Sequence, residues 1–322
     1  MKDNASKSVD HNASPYHVPV LLSETLEGLE IKPGGIYVDC TFGGGGHSKA
    51  ILERLNEHGR LIAFDQDEDA ARNIPGDERV LFVPHNFRHL QRFLRLNRYA
   101  QVDGILADLG VSSHQFDEGD RGFSTRFEGP LDMRMDQRQD VTASRILKLY
   151  TETQLHKLFE QYGEVTNSKT LAKHIVQQRN QMPLQTIAQL KSLISPIVKG
   201  NPNKYLAQVF QALRIEVNDE MGALKELLEQ VPLVLKPYGR VAIITFHSIE
   251  DRLVKIFFKQ GSFEEEEENR LLPGSRKSNL KIITRKPVVA SEEEIRRNPR
   301  SRSAKLRIAE KVHVGEVDVL RS

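Results

Sequence analysis

Four consecutive glycines, Gly43–Gly46, follow the apolar pair Tyr37-Val38 and the acid Asp39, and run into His47-Ser48. Glycine has no Cβ, so its backbone can approach a ligand closely and can adopt positive φ. One glycine suffices for a tight turn and each extra one costs conformational entropy, so the run points to a ligand seated on the backbone. Such a ligand sits in the crevice at the carboxyl ends of strands, near a helix N-terminus. A dinucleotide site wants G-x-G-x-x-G, yet the final position is Ser48 counting from Gly43 and Lys49 counting from Gly44. No G-K-[ST] follows, which excludes a P-loop. Asp39 suits a ligand bearing a positive amine better than a pyrophosphate, and S-adenosylmethionine is such a ligand. Asp65 closes the apolar run that begins at Leu61, twenty residues after Gly45. A carboxylate there can accept both ribose hydroxyls of an adenosine. Asp108 closes a third such run, facing the same crevice, either to hold the cofactor or to accept a proton from a substrate amine. Asp67 and Asp69 fall in the first turn of the next helix, where negative charge is favoured.

These residues need a sheet to bring them together. Five runs nearly continuous in Val, Ile and Leu read as strands buried on both faces: Ile36–Asp39, Leu61–Asp65, Val80–Val83, Val102–Asp108 and Val241–Phe246. Helical patterns at Ser48–His58 and Phe87–Leu96 separate the early strands. The alternation predicts an α/β, doubly wound parallel sheet. After Asp108 it stops. The stretch 113–216 holds a polar loop, Asp117–Pro130, and then helical patterns at Thr142–Leu149, Thr153–Gln161, Ser168–Gln178, Thr186–Ile194 and Lys204–Ile215. The expectation is a discontinuous domain, 16–112 and 217–322, interrupted by an all-helical insertion, 113–216.

The chain has 322 residues, with 46 Lys and Arg against 44 Asp and Glu, a net charge of +2. That balance excludes a uniformly basic nucleic-acid coat but permits local basic faces. From Arg145 to Glu216 there are ten basic and four acidic residues, and from Arg276 to Arg307 eleven and three. Glu264–Glu268 are five successive glutamates, expected in an exposed loop. The single cysteine, Cys40, excludes a disulfide framework and is expected to be a small buried residue. Residues 1–15 read as a disordered tail without the apolar centre of a secretion signal, and no stretch is long and apolar enough for a membrane span. A cytoplasmic protein is expected. His85 and His89, four apart, lack a third ligand and read as surface or capping residues, so no metal site is expected.

Several segments together resemble the MraW/RsmH family. They are His17–Leu22, Thr41–Ser48, Asp108–Ser113, Arg121–Ser124, Leu131–Met135, Phe246–Arg252 and Asn298–Ser303. The resemblance implies a Rossmann-like class I methyltransferase domain carrying a helical insertion. It implies transfer of a methyl group from S-adenosyl-L-methionine to N4 of a cytosine in the decoding region of 16S rRNA. The cofactor positions then fall on Gly45, Gly46, His47, Asp65, Phe87, Asp108 and Gln115. Three positions depart from the family pattern: Gly44, Thr125 and Tyr238.

On that reading Asp108 is the expected catalytic acceptor. Methylation at C5 of cytosine would need a cysteine beside the base, and Cys40 lies on the cofactor side. The insertion and the basic run near Arg300 and Arg302 are the expected grips on 16S rRNA, with Arg134, and no DNA or membrane partner is expected. His247 and Ser248, after the last apolar run, either contact the base or hold a loop. Two other readings remain: a nicotinamide oxidoreductase, disfavoured by the missing glycine, and a non-catalytic RNA-binding ribosome assembly factor.

Overall fold

The computed structural model describes residues 19–263 and 278–313. The expected tail 1–15 and the Glu264–Glu268 run lie outside the described residues. A short helix, α1 (Leu22–Leu29), precedes a sheet whose parallel part is β1 (Ile36–Asp39), β2 (Arg60–Phe64), β3 (Val80–Val83), β4 (Val102–Asp108) and β5 (Leu235–Thr245). Their spatial order is β3-β2-β1-β4-β5, so the winding reverses between β1 and β4. That reversal opens the crevice above the strand ends where ligands bind in doubly wound sheets. Register places Asp39 beside Leu106 and Asp108 beside Ile244.

Two details of the sheet escaped the apolar runs. First, β5 starts at Leu235 rather than Val241, because Lys236, Pro237, Tyr238 and Gly239 break the hydrophobic pattern and, with Tyr238 at a φ of 63°, form the irregularity across which the register to β4 shifts. Second, the sheet continues with three antiparallel strands, β6 (Leu280–Ile282), β7 (Val288–Val289) and β8 (Lys305–Lys311), where the sequence reads only as basic. The reason is Arg307, buried in β8 and held by Asp251 at 2.6 Å. A paired charge in a core position hides a strand from hydropathy. On the opposite side β3 is half-buried, being the edge strand.

Between β1 and β2 lies α2 (Gly46–Leu52), which ends well before His58 because the chain turns back to pair the Asn56 amide with the Pro33 carbonyl. A short 3-10 turn, Phe87–His89, leads into α3 (Leu90–Leu96). The insertion comprises α4 (Ser113–Asp117), α5 (Ala143–Leu149), α6 (Glu152–Gln161), α7 (Ser168–Gln178), α8 (Ile187–Ile194) and α9 (Pro202–Asn218). Thr142, Thr151 and Thr186 cap α5, α6 and α8 through their hydroxyls; the patterns expected from Thr142 and Thr186 begin at those caps, whereas α6 starts before the expected Thr153. The apolar faces of these helices bury one another: Leu147, Leu155, Phe159, Ile175, Leu190 and Leu213 belong to one cluster confined to residues 123–217. The next helix, α10 (Glu220–Val234), turns its Leu224, Leu227, Leu228 and Val231 onto the sheet instead. It is followed after β5 by α11 (Ser248–Gln260), and α12 (Glu292–Arg297) precedes β8. Among the described residues no helix is long and apolar enough to cross a membrane.

Candidate active site

The glycine loop is shaped by its two positive-φ members, Gly43 at 50° and Gly45 at 75°. Gly46, the first residue of α2, sits so close to Pro19 that a Cβ would lie 2.4 Å from its Cγ. Gly44 has nothing within 4 Å of where a Cβ would project. Gly43, Gly44, Gly46 and His47 line a cavity of about 860 Å³, and Gly45, although expected to touch the cofactor, contributes the bend rather than the wall. Asp39 does not line the cavity either. It is 1% exposed, accepts from the Ser48 hydroxyl at 2.7 Å and the Thr41 amide at 3.0 Å, and braces the loop from beneath. The expectation that it meets a ligand amine is therefore corrected: Asp39 is buried under the loop and does not face the cavity.

Asp65, just past β2, does line the cavity. One oxygen accepts from the Gly43 amide at 2.7 Å and the other from the Asp67 amide at 2.9 Å. Each carboxylate oxygen retains a second lone pair. Burial pushes the Asp65 carboxyl up to about 6. Phe87 lines the same cavity, placed by Asn86, whose side chain accepts from the Arg88 amide. Gln115 also reaches the wall, but its amide is committed on both ends: Oε1 accepts from the Ser112 amide and Nε2 donates to Asp67 at 2.7 Å.

Asp108 ends β4, its own amide donating to the Thr41 hydroxyl at 2.7 Å. Its Oδ2 lies 3.6 Å from His47 Nδ1, and its Oδ1 is buried without a hydrogen-bond partner among the described residues. Burial, and then the negative charges of Asp39 and Glu250, push its carboxyl well above the usual carboxylate range. Cys40 is buried, as expected.

Other residues of the site take their roles from contacts between elements. Arg121, with a buried side chain, donates to Asp67 at 2.8 Å and Asp69 at 3.0 Å, so Asp67 is an ion-pair partner as well as a helix cap. Glu220, His247 and Glu250 bring potential ligand atoms within 4.8 Å of one another. Arg214 answers that charge by donating to both oxygens of Glu220, at 2.8 and 3.0 Å, while Glu250 Oε2 accepts from the Phe246 amide. These residues come from α9, α10 and the start of α11, and only the fold brings them together. His247 caps α11, and Ser248 donates to Glu164 at 3.1 Å, so both hold loops. His85 and His89 are exposed, and His85 stacks on Phe93.

Of the three expected RNA-binding arginines, Arg134 is committed within its own loop. It pairs with Asp132 through two nitrogens, at 2.7 and 2.8 Å, and donates to the carbonyls of Gln137 and Gln139. Arg300 lines the cavity, donates to Asp117 at 2.7 Å and lies over the Phe116 ring. Arg302 is exposed.

The donor set suits S-adenosylmethionine. Asp65 offers acceptors for a diol, the glycine backbone leaves open space, Phe87 offers an apolar flank, and Asp108 keeps an orphaned buried oxygen. The chain is 55% identical over 305 residues to Ribosomal RNA small subunit methyltransferase H of Azobacteroides pseudotrichonymphae, covering 94% of this chain and 100% of that protein. It is 54% identical over 306 residues to the protein of the same name from Parabacteroides distasonis, with 94% and 100% covered. A third, from Bacteroides thetaiotaomicron, is 54% identical over 297 residues, with 92% and 97% covered. Residues 14–312 match the MraW methylase family, and the chain belongs to that family.

Proposed function

We propose that this protein uses S-adenosyl-L-methionine to methylate the N4 amine of a cytosine in the decoding region (P site) of 16S rRNA, acting in the cytoplasm on rRNA within the small ribosomal subunit. The observation that carries the reading is Asp108: a carboxyl at the end of β4 that lines the cavity, its Oδ1 without a hydrogen-bond partner among the described residues, beside a glycine loop and a diol-accepting acid. Residues Gly43, Gly44, Gly46, His47, Asp65 and Phe87 surround the cofactor, which when bound supplies an electrophilic methyl group.

The exocyclic amine of cytosine is a weak nucleophile because its lone pair is delocalised into the ring. Acceptors that hold its N–H groups localise that pair and stabilise the positive charge that develops. Asp108 supplies such an acceptor, and the walls of the crevice fix the approach of the amine. The base must leave its stack to reach Asp108. The helical insertion, 113–216, takes the role of RNA-recognition domain, with Arg300 and Arg302 contacting phosphates at the mouth; the parts 16–112 and 217–322 hold the cofactor.

Mass mapping of 16S rRNA from cells with and without this protein, together with methyl transfer by the purified chain to rRNA and to isolated subunits, tests the reading. The expected result is one N4-methylcytosine lost with the protein and restored by wild type but not by Asp108→Asn. A wild-type protein that binds the subunit and transfers no methyl group would instead make it an assembly factor.

A further inference from the structure

His47 Nε2 lies 3.0 Å from the Val20 carbonyl oxygen. A carbonyl only accepts, so Nε2 carries the hydrogen and the neutral ring presents Nδ1 as an acceptor. Nδ1 faces Asp108 Oδ2 across 3.6 Å, and the ring is 6% exposed. Two acceptors turned toward one another in a buried site repel unless a proton lies between them. The gap is slightly longer than a hydrogen bond, as catalytic contacts often are before substrate closes the site.

We propose that His47 and Asp108 hold one proton between them and act as a relay for the proton that the target amine loses. The proposal rests on the methyl-transfer reading above. When the amine becomes methylated, one N–H bond breaks and its electron pair stays on nitrogen. The proton joins Asp108 Oδ2, since Oδ1 is fully buried and out of the amine's reach. Asp108 Oδ2 then gives the proton it shared to His47 Nδ1. One N–H and one O–H bond break, one O–H and one N–H bond form, and the added positive charge ends on the imidazole.

The surroundings explain why a single carboxylate would not serve. Asp39 from β1 and Glu250 from α11 face Asp108 with like charge, Arg214 from α9 being drawn to Glu250 and Glu220. Burial among those charges favours a protonated Asp108, which alone has no capacity for a further proton. With Nδ1 behind it, a protonated Asp108 still takes the amine's proton on Oδ2 while releasing its own to His47. Burial disfavours the imidazolium, and the Asp39 carboxylate offsets part of that penalty. His47 thus acts through Asp108, as a positioning residue for the proton.

Nitrogen NMR of the wild-type chain labelled in histidine, with S-adenosylhomocysteine present, reads the pair directly; the His47 signals are assigned by their loss in His47→Gln. The expected result is an Nε2–H ring whose Nδ1 is hydrogen-bonded, with a titration midpoint that moves by about one pH unit or more in Asp108→Asn. An Nδ1–H ring, or a midpoint indifferent to Asp108→Asn, overturns the relay. Single-turnover methylation gives the functional arm. Compared at saturating cofactor, His47→Gln should transfer methyl about 10–100-fold more slowly than wild type at pH 7. Its rate should climb about tenfold per pH unit as Asp108 ionises. A loss that parallels the wild-type pH profile overturns the relay. A wild type that methylates nothing overturns the functional reading, while the NMR arm still decides on the shared proton.

Discussion

Arg121 and Asp67 form a buried ion pair at 2.8 Å, joining the loop after β2 to the first turns of the insertion. Asp67 follows Asp65 by two residues, and its amide donates to Asp65. Arg121 also donates to the carbonyls of Arg134 and Met135. The acid that lines the cavity after β2 and the helical insertion are thereby braced by one guanidinium. Removing one partner of a buried pair leaves an uncompensated charge, a loss of about 3–5 kcal/mol. Arg121→Met and Asp67→Asn should each lower stability on that scale in urea unfolding, and the double variant by much less than their sum. Additive losses would mean that the two residues are not coupled.

Asp65 makes cofactor affinity depend on pH. A diol donates hydrogen bonds to the ionised carboxylate, and this carboxyl is pushed up to about 6. Below that value it is protonated, so affinity should fall as pH drops from 7 to 5, approaching tenfold per unit once well below the midpoint. Calorimetric titration with S-adenosylmethionine checks this, with Asp65→Asn as the control whose weaker affinity should stay flat across the same range.

The glycine loop should tolerate a methyl group at one position and resist it at another. Gly44→Ala adds a Cβ to open space, so stability should stay within about 0.5 kcal/mol of wild type. Gly46→Ala drives a Cβ into Pro19, an overpacking loss of about 1–3 kcal/mol. Thermal unfolding of the two variants side by side separates them. Equal shifts would show that the approach of Pro19 to α2 relaxes freely.

Arg302 and Arg134 should part company in the same way. Arg302 is exposed, so Arg302→Ala should leave the melting temperature unchanged, weaken rRNA binding and reduce the salt slope by about 1. Arg134 ties Asp132 to the backbone at Gln137 and Gln139, so Arg134→Ala should lower the melting temperature with little change in that slope. Binding measured at several salt concentrations distinguishes a phosphate contact from a loop tie.

The linear chain determined the parts whose cause is local. The glycine run demands a backbone-lined turn, apolar runs mark β1 to β4, and threonine hydroxyls start α5 and α8. The strand-end acids Asp65 and Asp108 were legible because a charge that ends a buried strand must emerge at the sheet's edge. Only the tertiary structure decided which acids remain available. Asp39, equally prominent in the sequence, is closed off by Ser48 and Thr41, while Asp67 is claimed by Arg121 and Gln115. The charged strand β8, the Arg214–Glu220 pair and the His47–Asp108 approach likewise join residues far apart in the chain. Their energies come from burial and pairing across elements, and neither quantity exists until the elements pack.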